Sequence, residues 1–180
     1  MFLVAAFAGG CGGGNEGDSG EPRASLSVQF TRADGSVAHF PEAVRAWCGA
    51  FDEDNRDVEG VHVLAGEFPP GGEDAEPFWI VRAVRADVER DDETQLPNDY
   101  VYTEPRGADL FALDDAAHAH NELSSASERS AGTIRVQLSG CERGDTVELS
   151  FDDVTLGSEY GDQPSLSVDG RVVASVGDPP

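Results

Sequence analysis

Apolar residues in this chain recur at every second position, in runs of only three or four. Leu26, Val28 and Phe30 form one such run, with Ser27 and Gln29 between them. Ile134, Val136 and Leu138 form another, and Val147, Leu149 and Phe151 a third. A strand alternates its side chains between two faces, so this spacing predicts half-buried strands and forbids an amphipathic helix over the same residues. The longest candidate is Phe78 to Val88, with Phe78, Ile80, Arg82, Val84, Ala86 and Val88 on one face. Trp79, Val81, Ala83, Arg85 and Asp87 occupy the other.

Turn signals separate these runs. Asp34-Gly35 lies between β-formers and predicts a hairpin into Val37–Phe40. Pro69-Pro70-Gly71-Gly72 ends a strand over Val61–Leu64, and Cys141 to Gly144 turns the chain before Val147. Leu166 and Val168, then Asp169-Gly170, then Val172–Val176 read as a last hairpin. Ala108–Leu113 reads as a short strand, residues 90–107 as a long loop, and residues 114–130 as a loop with one helical turn. Pro41 to Phe51 fits helical spacing through Val44, Trp47, Cys48 and Phe51, and strand spacing through Val44, Ala46 and Cys48. The strand is preferred because its surroundings are β. The expectation is an all-β fold: an antiparallel β-sandwich, Ig-like or jelly-roll-like, with at most one short helix. Residues 26–177 form its single domain.

Charge narrows the partners. The 180 residues carry 35 Asp and Glu against 12 basic residues, all Arg, for a formal charge of −23. Nucleic acid and anionic lipid are bound through clusters of cations, so neither is an expected partner of this surface. The absence of Lys excludes Schiff-base chemistry. No GxSxG, HExxH, P-loop or GxGxxG is present, and the expectation is a protein without catalytic residues.

The N-terminus reads Met1-Phe2-Leu3-Val4-Ala5-Ala6-Phe7-Ala8-Gly9-Gly10-Cys11. An apolar run leading through small residues to a Cys resembles the end of a bacterial lipoprotein signal peptide. Ala8 stands where that family usually has Leu, and the basic n-region is missing, so the translation start is expected further upstream. The resemblance implies cleavage before Cys11, acylation of Cys11 and export. Residues 1–10 would be a signal remnant. Residues 11–25, rich in Gly, Ser and acids, would be anchor and flexible linker. Gly12 rather than Asp after the Cys implies, in that family, the outer membrane. The implied partner is the membrane, reached through the lipid; a protein or glycan partner stays unspecified.

With Cys11 acylated, Cys48 and Cys141 remain, and an even pair in an exported chain is expected to form a disulfide. Three groups offer ligand chemistry. Asp52, Asp54, Asp57 and Glu59, with Asn55, supply hard oxygens suited to Ca²⁺, although the spacing is not an EF-hand. His118 and His120, with Asp114, Asp115 and Glu122 nearby, could hold zinc for a metal-dependent hydrolase. Phe151 to Leu156 resembles a late strand of carbohydrate-binding β-sandwich modules, which implies sugar stacking on exposed aromatics; Tyr100 and Tyr102 are the candidates. His39 and His62 read as structural.

Overall fold

The computed structural model describes residues 25–67, 76–98, 104–114, 122–158 and 165–180. Among them lie eleven strands: β1 (Ser25–Arg32), β2 (Val37–Ala38), β3 (Val44–Ala50), β4 (Glu59–Ala65), β5 (Phe78–Val84), β6 (Thr94–Gln95), β7 (Ala108–Leu113), β8 (Glu122–Ser124), β9 (Ala131–Leu138), β10 (Thr146–Ser158) and β11 (Leu166–Ser175). One helical turn, α1 (Arg85–Val88), follows β5. The ladders between strands are antiparallel, in the path β2-β1-β11-β10-β8-β7-β5-β4-β3. β9 pairs β10 off that path, and β6 pairs β9.

The fold is therefore all-β, as the alternation requires, but it is not two separate sheets. One sheet curls into a half-barrel, and β10 carries it round the corner. Through Asp152 this strand pairs β9 on one edge and β11 along the other. Its last residues, Gly157 and Ser158, pair Ser124 and Leu123 of β8 instead. The bend between is a β-bulge: two residues of β10 oppose one of β11 between Phe151↔Gly170 and Val154↔Val168. Asp153 sits in it with φ 51°.

That bulge corrects the expected last hairpin. Asp169-Gly170 makes no turn; β11 runs straight through it. Gly170 has φ 116°, and a Cβ there would lie 2.0 Å from the carbonyl oxygen of Ser27 on β1. The glycine is needed for close strand approach opposite the bulge, not for a reversal. Asp34-Gly35 does make its turn, with Gly35 at φ 84° and its N–H donating to the Arg32 carbonyl at 2.8 Å.

The continuation of β5 to Val88 is also corrected. The strand stops at Val84, and the Glu89 N–H donates to the Arg85 carbonyl at 2.9 Å. Asp87 is fixed there by the Gly107 N–H, which donates to its Oδ2 at 2.6 Å. Pro41–Phe51 resolves as the strand β3.

Inside the curl, Trp79, Val81 and Ala83 of β5 meet Val61 and Val63 of β4, Leu110 of β7, Ile134 of β9, Leu149 and Leu156 of β10, and Val172 of β11. On the outer face of β5, Phe78 and Ile80 are buried with Leu64, under Trp47, Phe111 and Leu113. A strand apolar on both faces has to be covered on both, which accounts for the unbroken FWIV.

The β3 end of the curl is tied back to the end of β11. The Gly177 N–H donates to the Ala46 carbonyl at 2.8 Å, and Ala46 forms a parallel bridge with Val176. Cys48 and Cys141 are disulfide-bonded beside it, with 5.8 Å between Cα atoms. The expected pairing of these cysteines is thus met.

Candidate functional site

β1 and β3 share one edge of β11. β1 pairs it up to Ser25↔Val173, and β3 touches it at Val176. The other edge of β11 there is occupied by β10, through Thr146↔Ser175 and the Val176 N–H donating to the Asp145 carbonyl. Beyond that junction β1 pairs β2 at Phe30 and Thr31. A cleft of about 600 Å³ lies against β1, β2 and the segment from His39 to Glu42 that leads toward β3.

Its wall is the inward row of β1: Leu26, Val28 and Phe30. Val37, Ala38, Phe40 and Trp79 complete the apolar lining, with Gln29, His39 and Glu42 exposed around it. The aromatics form a chain, with ring centroids 4.5 Å apart for Phe30–Phe40 and 6.0 Å for Phe30–Trp79. Trp79 is fully buried. Its Nε1 is a buried donor with no hydrogen-bond partner among the described residues. Buried polar atoms are nearly always paired, so this indole N–H is an exception within the core. Alternation with apolar neighbours puts Trp79 in the core, as the sequence pattern predicts.

A second polar arrangement crosses the outer face of β3, β4, β5 and β7. Register places Trp47 beside His62, His62 beside Arg82, and Arg82 beside Asp109. The Trp47 and His62 rings stack at 4.9 Å with 2° between planes. His62 Nε2 lies 3.0 Å from the Ala50 carbonyl, which assigns it as the protonated, donating nitrogen. Burial, opposed in part by that bond, pulls the imidazole down from 6.5 to about 4. Arg82 Nη2 donates to Asp109 Oδ2 at 2.5 Å, and Ser125 Oγ donates to Asp109 Oδ1 at 2.8 Å. The Arg82 guanidinium also lies 5.5 Å from the centre of the Phe51 ring. Each member is buried or nearly so, and the row braces four strands rather than facing solvent. His62 is structural, as expected.

The expected calcium loop is not assembled. The Asp52 carboxylate is turned onto its own backbone, accepting from the N–H groups of Asp54 and Asn55 at 2.9 and 2.7 Å. This is a closed Asx turn, with the Asn55 amide donating to the same oxygen. Glu59 instead accepts from Arg85 Nη1 at 2.7 Å. Asp54 and Asp57 join neither in a cluster; no three metal-ligating side chains converge among the described residues. Asp52, Asp54, Asp57 and Glu59, expected as Ca²⁺ ligands, thus do not converge on one point. His118, His120, Tyr100, Tyr102 and Cys11 lie outside the described residues. Asp114, expected near the histidine pair, is described, and its carboxylate is held by Arg32 in a pair with Nε at 2.7 Å.

No helix of the described residues is long and apolar enough to cross a membrane. No family model, no curated protein and no solved structure matches the chain. The molecule is thus placed by its own geometry: an all-β half-barrel, cross-linked at one side and open at the other.

Proposed function

We propose that this chain is an exported, lipid-anchored protein of a bacterial cell envelope, at the outer membrane or cell surface, whose half-barrel binds a ligand without catalysing a reaction. The observation that carries the reading is the Cys48–Cys141 bond. Such cross-links form and persist outside the reducing cytosol. An exported chain whose first cysteine follows an apolar, small-residue leader has Cys11 as its acyl acceptor. Residues 12–24 then serve as the tether between that anchor and the domain. Stable attachment takes more than one chain, supplied by a diacylglyceryl group with an amide-linked acyl chain. The cleft beside β1 and β2 supports a binding role, because β-barrel mouths are recurrent ligand sites and need no reactive side chain to hold one.

Intact-mass measurement of the protein recovered from its native membranes tests this. The expected species begins at Cys11, carries acyl mass on it and has no titratable thiol. A chain that retains residues 1–10, carries no added mass and titrates three thiols overturns the reading.

A further inference from the structure

β1 presents a free edge to the cleft, and we infer that this edge accepts an extended, basic peptide segment of a partner protein as an added β-strand. This rests on the binding role proposed above and names the class of partner. Three observations support it.

The first is unpaired main chain. All of β1 pairs β11 on one side, from Ser25↔Val173 to Arg32↔Leu166, but only Phe30 and Thr31 pair β2 on the other. Beyond Ala38 the chain leaves β1, and Pro41 has no N–H with which to continue a ladder. The Arg32 N–H donates to the Ser36 carbonyl at 2.8 Å, so the even-numbered residues of β1 turn their main-chain groups to the β2 side. Leu26 and Val28 therefore each aim an N–H and a C=O at that side, where no strand among the described residues pairs them. Both line the cleft, whose exposed surface is mostly polar. Donors and acceptors repeated at every second residue are matched by another extended main chain. The second is the lack of a guard. Strand edges are normally blunted by Pro, by a bulge or by an inward-pointing charge, and Ser25 to Gln29 contain none of these. The inward side chains of Leu26 and Val28, and Phe40 beside the same cleft, are only partly covered, which suits apolar residues at alternate positions of the added strand. The third is charge. Glu42 and Asp169, the latter opposite Gln29 in the register, are exposed carboxylates. The cations nearby are already committed, Arg171 to Glu148 and Arg32 to Asp114. A basic segment supplies counter-charge, whereas a second copy of a chain of net charge −23 adds more of the same sign.

The test uses the full chain carrying Cys11→Ser, so that neither acyl group nor detergent intervenes, and a capped, labelled pentapeptide of alternating Val and Arg as the probe. The peptide is expected to saturate at one equivalent and to bind more weakly as salt rises. Amide hydrogen exchange reads the edge directly. In the free chain Leu26 and Val28 are expected to exchange fast while Ser27 and Gln29, bonded to β11, exchange slowly; with peptide all four become slow. Val28→Pro removes an N–H that pairs no described strand, so the fold is expected to persist and the peptide to bind about tenfold more weakly. The pentapeptide N-methylated at each Val, and the version with Glu in place of Arg, are expected not to bind. Absence of saturable binding, equal binding of either altered peptide, or bound peptide that leaves Leu26 and Val28 exchanging fast overturns the inference. So do Leu26 and Val28 amides that are slow in the free chain: a second copy or the chain itself then covers the edge, and sedimentation tells which. Because exchange is read in the parent chain, a failure of Val28→Pro to fold does not shelter the inference. Each negative result leaves the lipid-anchor reading intact, since that is decided by the mass of the N-terminus.

Discussion

Arg32 and Asp114, 82 residues apart, are locked by two parallel hydrogen bonds: Nε to Oδ2 at 2.7 Å and Nη2 to Oδ1 at 2.9 Å. Arg32 ends β1 and also donates to the Val37 carbonyl at 3.0 Å, so the pair fastens the β1–β2 hairpin to the end of β7. The Asp114 side chain is 2% exposed. Removing one partner of such a pair leaves a buried charge, which costs far more than the pair itself is worth. Arg32→Ala is expected to lower the unfolding free energy by about 3 kcal/mol in urea titrations. Adding Asp114→Asn to it should recover part of that loss, because the stranded charge is gone. If the double variant is no more stable than Arg32→Ala alone, the buried carboxylate is not the source of the cost.

The Cys48–Cys141 cross-link closes a 93-residue separation and joins β3 to the β9–β10 turn. Closing a loop of that length restricts the unfolded chain by roughly 4–5 kcal/mol in the chain-entropy model, and measured values for native disulfides run from about 2 to 5. Replacing both cysteines by Ser is expected to lower the unfolding free energy measured in guanidinium by an amount in that range. A loss under about 1 kcal/mol would show that the Ala46–Val176 bridge and the Gly177–Ala46 hydrogen bond close the curl unaided.

Gly35 and Gly170 both lie in left-handed backbone, at φ 84° and 116°, but their surroundings differ. A Cβ on Gly35 meets nothing within 4 Å; on Gly170 it meets the Ser27 oxygen at 2.0 Å and the Val28 Cα at 3.0 Å. Gly35→Ala is expected to cost only the backbone penalty, about 1–2 kcal/mol. Gly170→Ala carries that penalty plus the separation of β1 from β11, and should lower the thermal midpoint by clearly more. Equal shifts for the two variants would mean that β1 yields freely at Ser27.

The same pair of glycines marks where the fold is legible in the sequence and where it is not. The strand faces are legible, because period-two spacing is set by the strand itself: Leu26/Val28/Phe30, Ile134/Val136 and Val147/Leu149 all turn inward. The cysteine pairing is legible from parity and context. Curl is not. It depends on a bulge at Asp152–Asp153, where nothing local distinguishes two acids in a bulge from two acids in a loop. Asp169-Gly170 has the composition of a turn, yet the glycine answers to Val28 on a neighbouring strand, which sequence alone does not bring near it. Charge misleads in the Asp52–Glu59 loop, where carboxylates that suggest a cation are used on backbone N–H groups and on Arg85.

His62 makes the fold sensitive to mild acid. Burial, with the Arg82 charge adding to it, lowers the ring from 6.5 to about 4, while the Ala50 carbonyl and Asp52 oppose the change. Between those values the unfolded chain holds a proton on this imidazole that the folded protein does not. Stability from this group is therefore complete above pH 6.5 and declines as pH falls toward 4, because the unfolded state binds the additional proton. The full effect is about 3.5 kcal/mol, since a tenfold difference in proton affinity between the folded and unfolded chain is worth about 1.4 kcal/mol. His62→Gln has no proton to gain in this range. Urea unfolding at fixed ionic strength from about pH 7 to about pH 4.5 is expected to show the parent losing more stability than the variant, by up to about 2 kcal/mol over that interval. Carboxylates titrate alike in both proteins and cancel in the comparison. Parallel pH profiles would mean that the imidazole takes up a proton in place, and that the stacked Trp47 ring and the Ala50 carbonyl suffice to hold it charged.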